Sequence, residues 1–196
     1  MLNDFFLLVL AFLLGSFPTG YLFGKLFKKT DVRKIGTRNV GAMNTFLNVS
    51  FLAGFLTLTI DVGKGALSVV LAREFGAYEH LPAIAVVFVI TGHNFSPFLK
   101  FSGGKGFAAL VGTLLVVSPL AILFAYGIVG LVSLVIRDSS AGSGIGMVAL
   151  PLVLLIREVH VALVIAYAIV LIPILYKHKR DFCALIKRGK EEQELP

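Results

Sequence analysis

The sequence predicts an all-α integral membrane protein, a bundle of seven transmembrane helices with its N-terminus outside and its C-terminus in the cytoplasm. Three observations carry this reading. Hydrophobic residues make up 57% of the 196 and charged residues only 15%, against roughly 25% charged in a soluble domain. Mean hydropathy is +0.91. The apolar residues also fall into runs that can cross a bilayer, which takes about 17–25 residues of helix. The length suits one domain over residues 1–196. Cys183 is the sole cysteine, so no intrachain disulfide can form. No His/Cys cluster stands at ligand spacing, and neither a metal nor a cofactor is expected.

Spans are expected near 4–25, 46–72, 82–99, 105–118, 120–136, 143–157 and 160–176. The first is apolar from Phe5 to Leu14 with no Lys or Arg ahead of it. It therefore reads as a retained helix, not a signal peptide. Its Gly20 and Gly24 form a small-xxx-small pair for close helix packing. The second span contains Asp61 and Lys64, three residues apart and so on one helix face. Charges inside a span pair within the bundle or serve a substrate. A break at Gly63 and Gly65 would carry the pair towards the cytoplasmic end. The third span ends near His93, which fits a packing histidine or a base. Only Ser118-Pro119 separates the fourth span from the fifth, so residues 105–136 also read as one long helix. The loop before the sixth span, Arg137 to Gly146, offers Ser140 and Ser143 to an anion or to a helix start. No internal repeat supports an inverted-repeat transporter.

The basic residues decide the number of spans. Segment 25–38 and the C-terminal tail carry six each. Seven spans put both on one side together with Lys100, Lys105 and Arg137. Fifteen of the 18 bases are then cytoplasmic, as the positive-inside rule requires. Six spans would strand the basic tail outside. The net charge of +7 thus reads as topology and not as affinity for nucleic acid.

The polar loops gather on that same face. In Phe101–Phe107, FSGGKGF, the glycines Gly103, Gly104 and Gly106 surround Lys105 just before an apolar run. Glycines admit close approach of backbone N–H groups, lysine adds charge, and a helix start adds a positive dipole end. The combination suits a phosphate. A plain turn with a topogenic lysine is the alternative. It is not a P-loop, because Gly106 stands where Ser or Thr is required. The loop Gly36 to Asn44, GTRNVGAMN, bends at Gly36 and Gly41 and offers Thr37, Arg38, Asn39 and Asn44 as hydrogen-bonding groups. His178 and Asp181 share a helical face. They suit an acid–base pair or an interfacial helix on anionic lipid.

In order and spacing these motifs resemble the bacterial acyl-phosphate:glycerol-3-phosphate acyltransferases, small membrane enzymes with seven spans. The collinear match runs through Gly15-Ser16-x-Pro18-x-Gly20-Tyr21, the loop Asp31 to Asn44, and Asp61-x-x-Lys64-Gly65. It continues through Gly92-His93, Phe101-x-Gly103-Gly104-Lys105-Gly106 and His178. The resemblance implies transfer of an acyl group from a fatty acyl phosphate to the 1-hydroxyl of glycerol 3-phosphate. The products are lysophosphatidic acid and phosphate, in phospholipid synthesis, without acyl-CoA or metal. It also implies a multi-pass protein of the bacterial cytoplasmic membrane with its site on the cytoplasmic face. The expected partners are the two small-molecule substrates and the lipid bilayer, and the chain is expected to be a monomer. Thr37, Lys105, His178 and Asp181 are the expected catalytic residues. Gly36, Arg38, Asn39, Gly41, Asn44, Asp61, Lys64, Gly103, Gly104, Gly106, Ser140 and Ser143 are the expected substrate-binding ones.

The chain departs from the family pattern at several positions. Thr37 replaces a serine, Arg38 a glycine and Met43 a threonine. Leu47 and Ala184 stand where arginines are expected, and Asp181 where asparagine is. Two guanidinium groups are lost and a carboxylate is gained. Two further readings therefore stay open: a relative with a different phosphorylated acceptor or donor, and a non-catalytic membrane protein that binds lipid or phosphate.

Overall fold

The computed structural model describes the backbone of residues 2–193 and the side chains of residues 4–187. It contains ten α-helices and no strand among the described residues. Helices α1 (Leu2–Ser16) and α2 (Thr19–Lys28) are one span interrupted at Phe17-Pro18. Pro18 has no N–H to continue the helical ladder. The short α3 (Ala42–Asn48) precedes α4 (Phe51–Phe75), which begins where Ser50 Oγ accepts the Ala53 N–H at 3.1 Å. α4 runs unbroken through Gly63 and Gly65, so no break carries Asp61 and Lys64 towards the cytoplasmic end. Next come α5 (Leu81–Asn94), α6 (Phe107–Val117) and α7 (Pro119–Ile136). The chain ends with α8 (Ser139–Gly146), α9 (Leu150–Ile156) and α10 (Val161–Gln193).

Among the described residues six stretches are long and apolar enough to cross a membrane: Asp4–Lys28, Phe51–Phe75, Leu81–Leu99, Pro119–Ile136, Ser139–Ile156 and Val161–Lys187. α6 has only 11 residues, or about 16 Å of helix, roughly half the hydrocarbon thickness. It is a separate element all the same. If α7 continued in the direction of α6, Tyr126 would lie nearly 30 Å from Phe107 at about 1.5 Å per residue. Instead Tyr126 Oη donates to the Phe107 carbonyl at 3.3 Å. The chain therefore doubles back at Ser118-Pro119, and residues 105–136 are not one helix.

Two other expectations change. Residues 139–146 form a helix, not a loop. Asp138 caps it by accepting the Ala141 N–H at 2.8 Å. Its small residues serve packing: a Cβ on Gly142 would stand 2.5 Å from Ser133 Cα, and one on Gly144 2.8 Å from the Phe182 ring. The tail is also helical, since α10 extends through it for 33 residues despite Pro173. The side chains of Arg188 and Lys190, counted with the basic tail, lie outside those described.

Backbones approach closely where a side chain would not fit. Gly65 of α4 faces the Ala109 carbonyl of α6, and Gly112 of α6 faces the Val62 carbonyl of α4, each too near for a Cβ. Gly15 and Gly92 do the same for α1 and α5. Gly20 and Gly24 also serve close packing, but against Val40 and Val32 of the first loop instead of a helix. The shared core includes Leu7, Val86, Ile90, Leu110, Leu114, Tyr167 and Ile174, each at most 8% exposed. Leu123, Leu134 and Ile172 are at least 70% exposed, which suits a lipid-facing perimeter.

Candidate active site

Three segments far apart in the chain meet at one end of the bundle. The first is the loop between α2 and α3. Asn44, 1% exposed, organises it. Its Oδ1 accepts the Thr37 N–H at 3.0 Å, and its Nδ2 donates to the carbonyls of Val32 at 2.9 Å and Asn39 at 2.8 Å. Asp31 accepts the Arg33 N–H at 3.0 Å and pairs with its guanidinium at 2.8 Å. The Arg33 guanidinium holds the Asp31 carboxyl below the usual carboxylate range, and Asp31 raises Arg33 in return. Arg38 sits at φ 59°. That left-handed conformation suits glycine best, and glycine is the residue the family pattern has there.

The second segment is the loop between α5 and α6. Gly103 and Gly104 let it lie directly on the end of α5. A Cβ on Gly103 would stand 2.1 Å from the His93 carbonyl oxygen, and one on Gly104 2.2 Å from His93 Nε2. Gly104 donates its N–H to the His93 carbonyl at 3.0 Å. That amide is therefore committed to α5. Gly106, at φ 89°, starts α6. Lys105 reaches out of the loop to pair with Asp181 at 2.5 Å.

The third segment is one turn of α10. Lys177 Nζ lies 4.8 Å from the centre of the Phe95 ring and 3.4 Å from the Phe101 carbonyl. Lys179 Nζ lies 4.3 Å from the centre of the Tyr176 ring. Both are cation–π contacts.

Together the segments enclose a cavity of about 710 Å³. Its charged lining is Arg33, Lys34, Arg38, Lys105, Lys177, Lys179 and Arg180 against Asp31 and Asp181. Each acid already has a basic partner. Lys34, Arg38, Lys177, Lys179 and Arg180 have no carboxylate partner among the described residues. Thr37, Asn39, Ser102, Gly103 and Gly104 add polar surface, and Phe95, Phe101 and Tyr176 add aromatic walls. Such a cavity can hold more than one anionic group next to an apolar one.

The cavity collects Thr37, Arg38, Asn39, Gly103, Gly104, Lys105 and Asp181 from the expected set. Gly36, Gly41, Asn44 and Gly106 lie outside its lining and shape the loops behind it. Asp61 and Lys64 lie outside it too. They pair at 2.8 Å, 2% and 5% exposed. Lys64 Nζ donates to the Phe17 carbonyl at 3.1 Å, and Asp61 accepts from Thr19 Oγ1 at 2.6 Å. The pair thus ties α4 to the first span where Pro18 interrupts it. Ser140, Ser143 and His178 sit to one side. His178 is 1% exposed. Its Nδ1 bonds the Ile174 carbonyl at 2.8 Å, and its Nε2 lies 3.4 Å from Ser143 Oγ. The expected His178–Asp181 pair is replaced by Lys105–Asp181, because the lysine is a full charge within reach while α8 covers the imidazole. Leu47 is 73% exposed, and neither it nor Ala184 lines the cavity. Sequence reasoning missed Arg33, Lys34, Lys177, Lys179 and Arg180 as lining residues. Their signal was present in the two basic clusters but was read as topology alone.

An all-helical, membrane-embedded scaffold with a cationic cavity at one end defines a membrane protein equipped to receive anionic, lipid-linked ligands. The comparisons narrow the class. The family profile described as glycerol-3-phosphate acyltransferase matches residues 5–188. A glycerol-3-phosphate acyltransferase of Trichlorobacter lovleyi is 40% identical over 176 residues, covering 90% of each chain. One of Thermus thermophilus is 39% identical over 142 residues, covering 72% of this chain and 71% of the other. The crystal structure of PlsY, an integral membrane glycerol 3-phosphate acyltransferase, in its glycerol 3-phosphate form matches with a TM-score of 0.85 at 29% identity. That match covers 94% of this chain and 92% of the other. This chain belongs to the glycerol-3-phosphate acyltransferase family.

Proposed function

We propose that this protein transfers a fatty acyl group from acyl phosphate to the 1-hydroxyl of glycerol 3-phosphate, with lysophosphatidic acid and inorganic phosphate as products. The observation that carries this reading is the cavity of about 710 Å³ with five bases unpaired by carboxylates among the described residues. Both substrates carry a phosphate, and holding two anions side by side requires such an excess. The acceptor hydroxyl oxygen attacks the acyl carbonyl carbon. The carbonyl carbon–oxygen bond to phosphate breaks, phosphate leaves with the electron pair, and the hydroxyl proton ends on phosphate. Acyl phosphate is already activated, so no protein nucleophile is needed.

Lys105, Arg38 and Arg180 bind the phosphates, and Thr37 and Asn39 orient them by hydrogen bonds. Lys105 is shared between Asp181 and substrate. His178 acts from behind as a positioning residue, holding the turn that carries Asp181. The reversal at Ser118-Pro119 supports seven passes. Together with the basic clusters it favours an outside N-terminus, a cytoplasmic C-terminus and a site on the cytoplasmic face of the cell membrane. The lining is drawn from segments spread between residues 31 and 181, which supports a single domain.

The test is phosphate release by purified protein in lipid, given palmitoyl phosphate with and without glycerol 3-phosphate. Acceptor-dependent release with lysophosphatidic acid formed is the expected result. Absence of acceptor-dependent release would overturn the assignment.

A further inference from the structure

The end of the bundle opposite the cationic cavity carries its own cluster. Glu79 and His80 sit in the connection before α5, and His160 just before α10. Both helices run from this end to the cavity, where Asn94 and Tyr176 stand. Eighty residues separate the two histidines in sequence, so spacing alone concealed the group. In space the imidazole rings lie 5.1 Å apart, and His160 Nε2 is 4.0 Å from Glu79 Oε1. One ligand atom from each of the three residues falls within 4.8 Å of the others, and no other such group of three occurs among the described residues.

We propose that Glu79, His80 and His160 bind a zinc-class divalent transition ion that ties the connection before α5 to the start of α10. Two imidazoles and one carboxylate favour such an ion over calcium or magnesium, which prefer all-oxygen sites. Three protein ligands leave a fourth tetrahedral position for water. All three side chains are exposed, so the small rotations that draw the ligands together meet little packing resistance.

Two features oppose the ion. His80 and His160 precede helix starts, and Arg73 lines the neighbouring cavity of about 410 Å³ with the three residues. Each helix start carries roughly half a positive charge, open to water, whereas Glu79 brings a full negative charge and makes a direct bond. His160 Nδ1 also accepts the Ala162 N–H at 3.2 Å, which leaves the ring proton on Nε2. Ligation through Nε2 moves that proton to Nδ1 and gives up this one exposed hydrogen bond.

The experiment is calorimetry and thermal unfolding of tag-free protein in detergent, with zinc chloride, and with calcium chloride as control. Wild type is expected to bind one zinc saturably and to gain about 5 °C at a large excess over Kd. Calcium should produce no gain. His80→Ala, His160→Ala and Glu79→Gln should each lose most of the zinc-dependent gain while keeping the metal-free unfolding temperature and the acyl transfer rate. Absence of saturable zinc binding by wild type overturns the proposal. Binding that persists in a His80→Ala/His160→Ala double variant also overturns it and points to His93, His178 or Cys183.

Discussion

Lys105 and Asp181 form an ion pair in the lining of the cavity. The lysine brings the only charge from the glycine-rich loop that lines the cavity, and a carboxylate neutralises part of it. Lys105→Ala should lower kcat/KM by about 10²–10³-fold, measured as acceptor-dependent phosphate release, and an unchanged value would remove Lys105 from the site. Asp181→Asn should have the opposite sign. Both side chains are less than one-fifth exposed, so freeing the lysine should lower KM for glycerol 3-phosphate by about fivefold with kcat held. A collapse of kcat in Asp181→Asn would instead make the carboxylate a proton acceptor. Asp31 governs the first loop by linkage. Its folded pKa is depressed by Arg33, so its stabilising contribution is complete above the unfolded value and is lost as pH falls through the folded one. The difference in unfolding temperature between wild type and Asp31→Asn should therefore be present at neutral pH and close in acid. A gap that does not change with pH would refute the linkage.

The interrupted first span and unbroken α4 are one device. The first span is interrupted at Phe17-Pro18, and α4 braces the interruption with Lys64, which donates to the Phe17 carbonyl and whose charge Asp61 balances. Removing one member strands a buried charge, which costs about 3–5 kcal/mol, whereas an apolar pair of similar size is often tolerated. Lys64→Met and Asp61→Leu alone should each lower the unfolding temperature sharply. Lys64→Met/Asp61→Leu should recover a large part of the loss. Additive effects in the double variant would show that the two residues do not act as a pair. Because neither residue lines the cavity, the tolerated double variant should also keep KM for glycerol 3-phosphate near the wild-type value.

At the scale of the whole molecule, the number of passes fixes which loops can meet. Seven passes put residues 34 and 187 on one side and residue 79 on the other. Single cysteines at Lys34, Glu79 and Lys187, each in a Cys183→Ser background, test this with a membrane-impermeant maleimide. Lys34→Cys and Lys187→Cys should react in inverted vesicles, and Glu79→Cys in intact spheroplasts. Opposite sidedness of positions 34 and 187 would mean six passes. In the sequence it is the basic clusters that argue for seven passes, because charge avoids translocation whatever the side chains later touch. α8 was not legible. Gly142, Gly144 and Gly146 look like a loop by propensity and become helix only because α7 and α10 press against them.

The sequence by itself determined that the chain is an all-helical membrane protein, where most spans lie, and which segments are basic or glycine-rich. These are local properties: hydropathy, charge count, and residue types at fixed spacing. Only the tertiary structure decided which of those segments share a cavity. It gave Asp181 to Lys105 and buried His178 against Ser143. It turned Asn44, Asp61 and Lys64 inward as supports, and it brought His80 to His160 across 80 residues. Each of these depends on which partner is nearer in space once the helices pack. Side-chain charge and hydrogen-bonding capacity state what a residue needs; only the packed bundle states which neighbour supplies it.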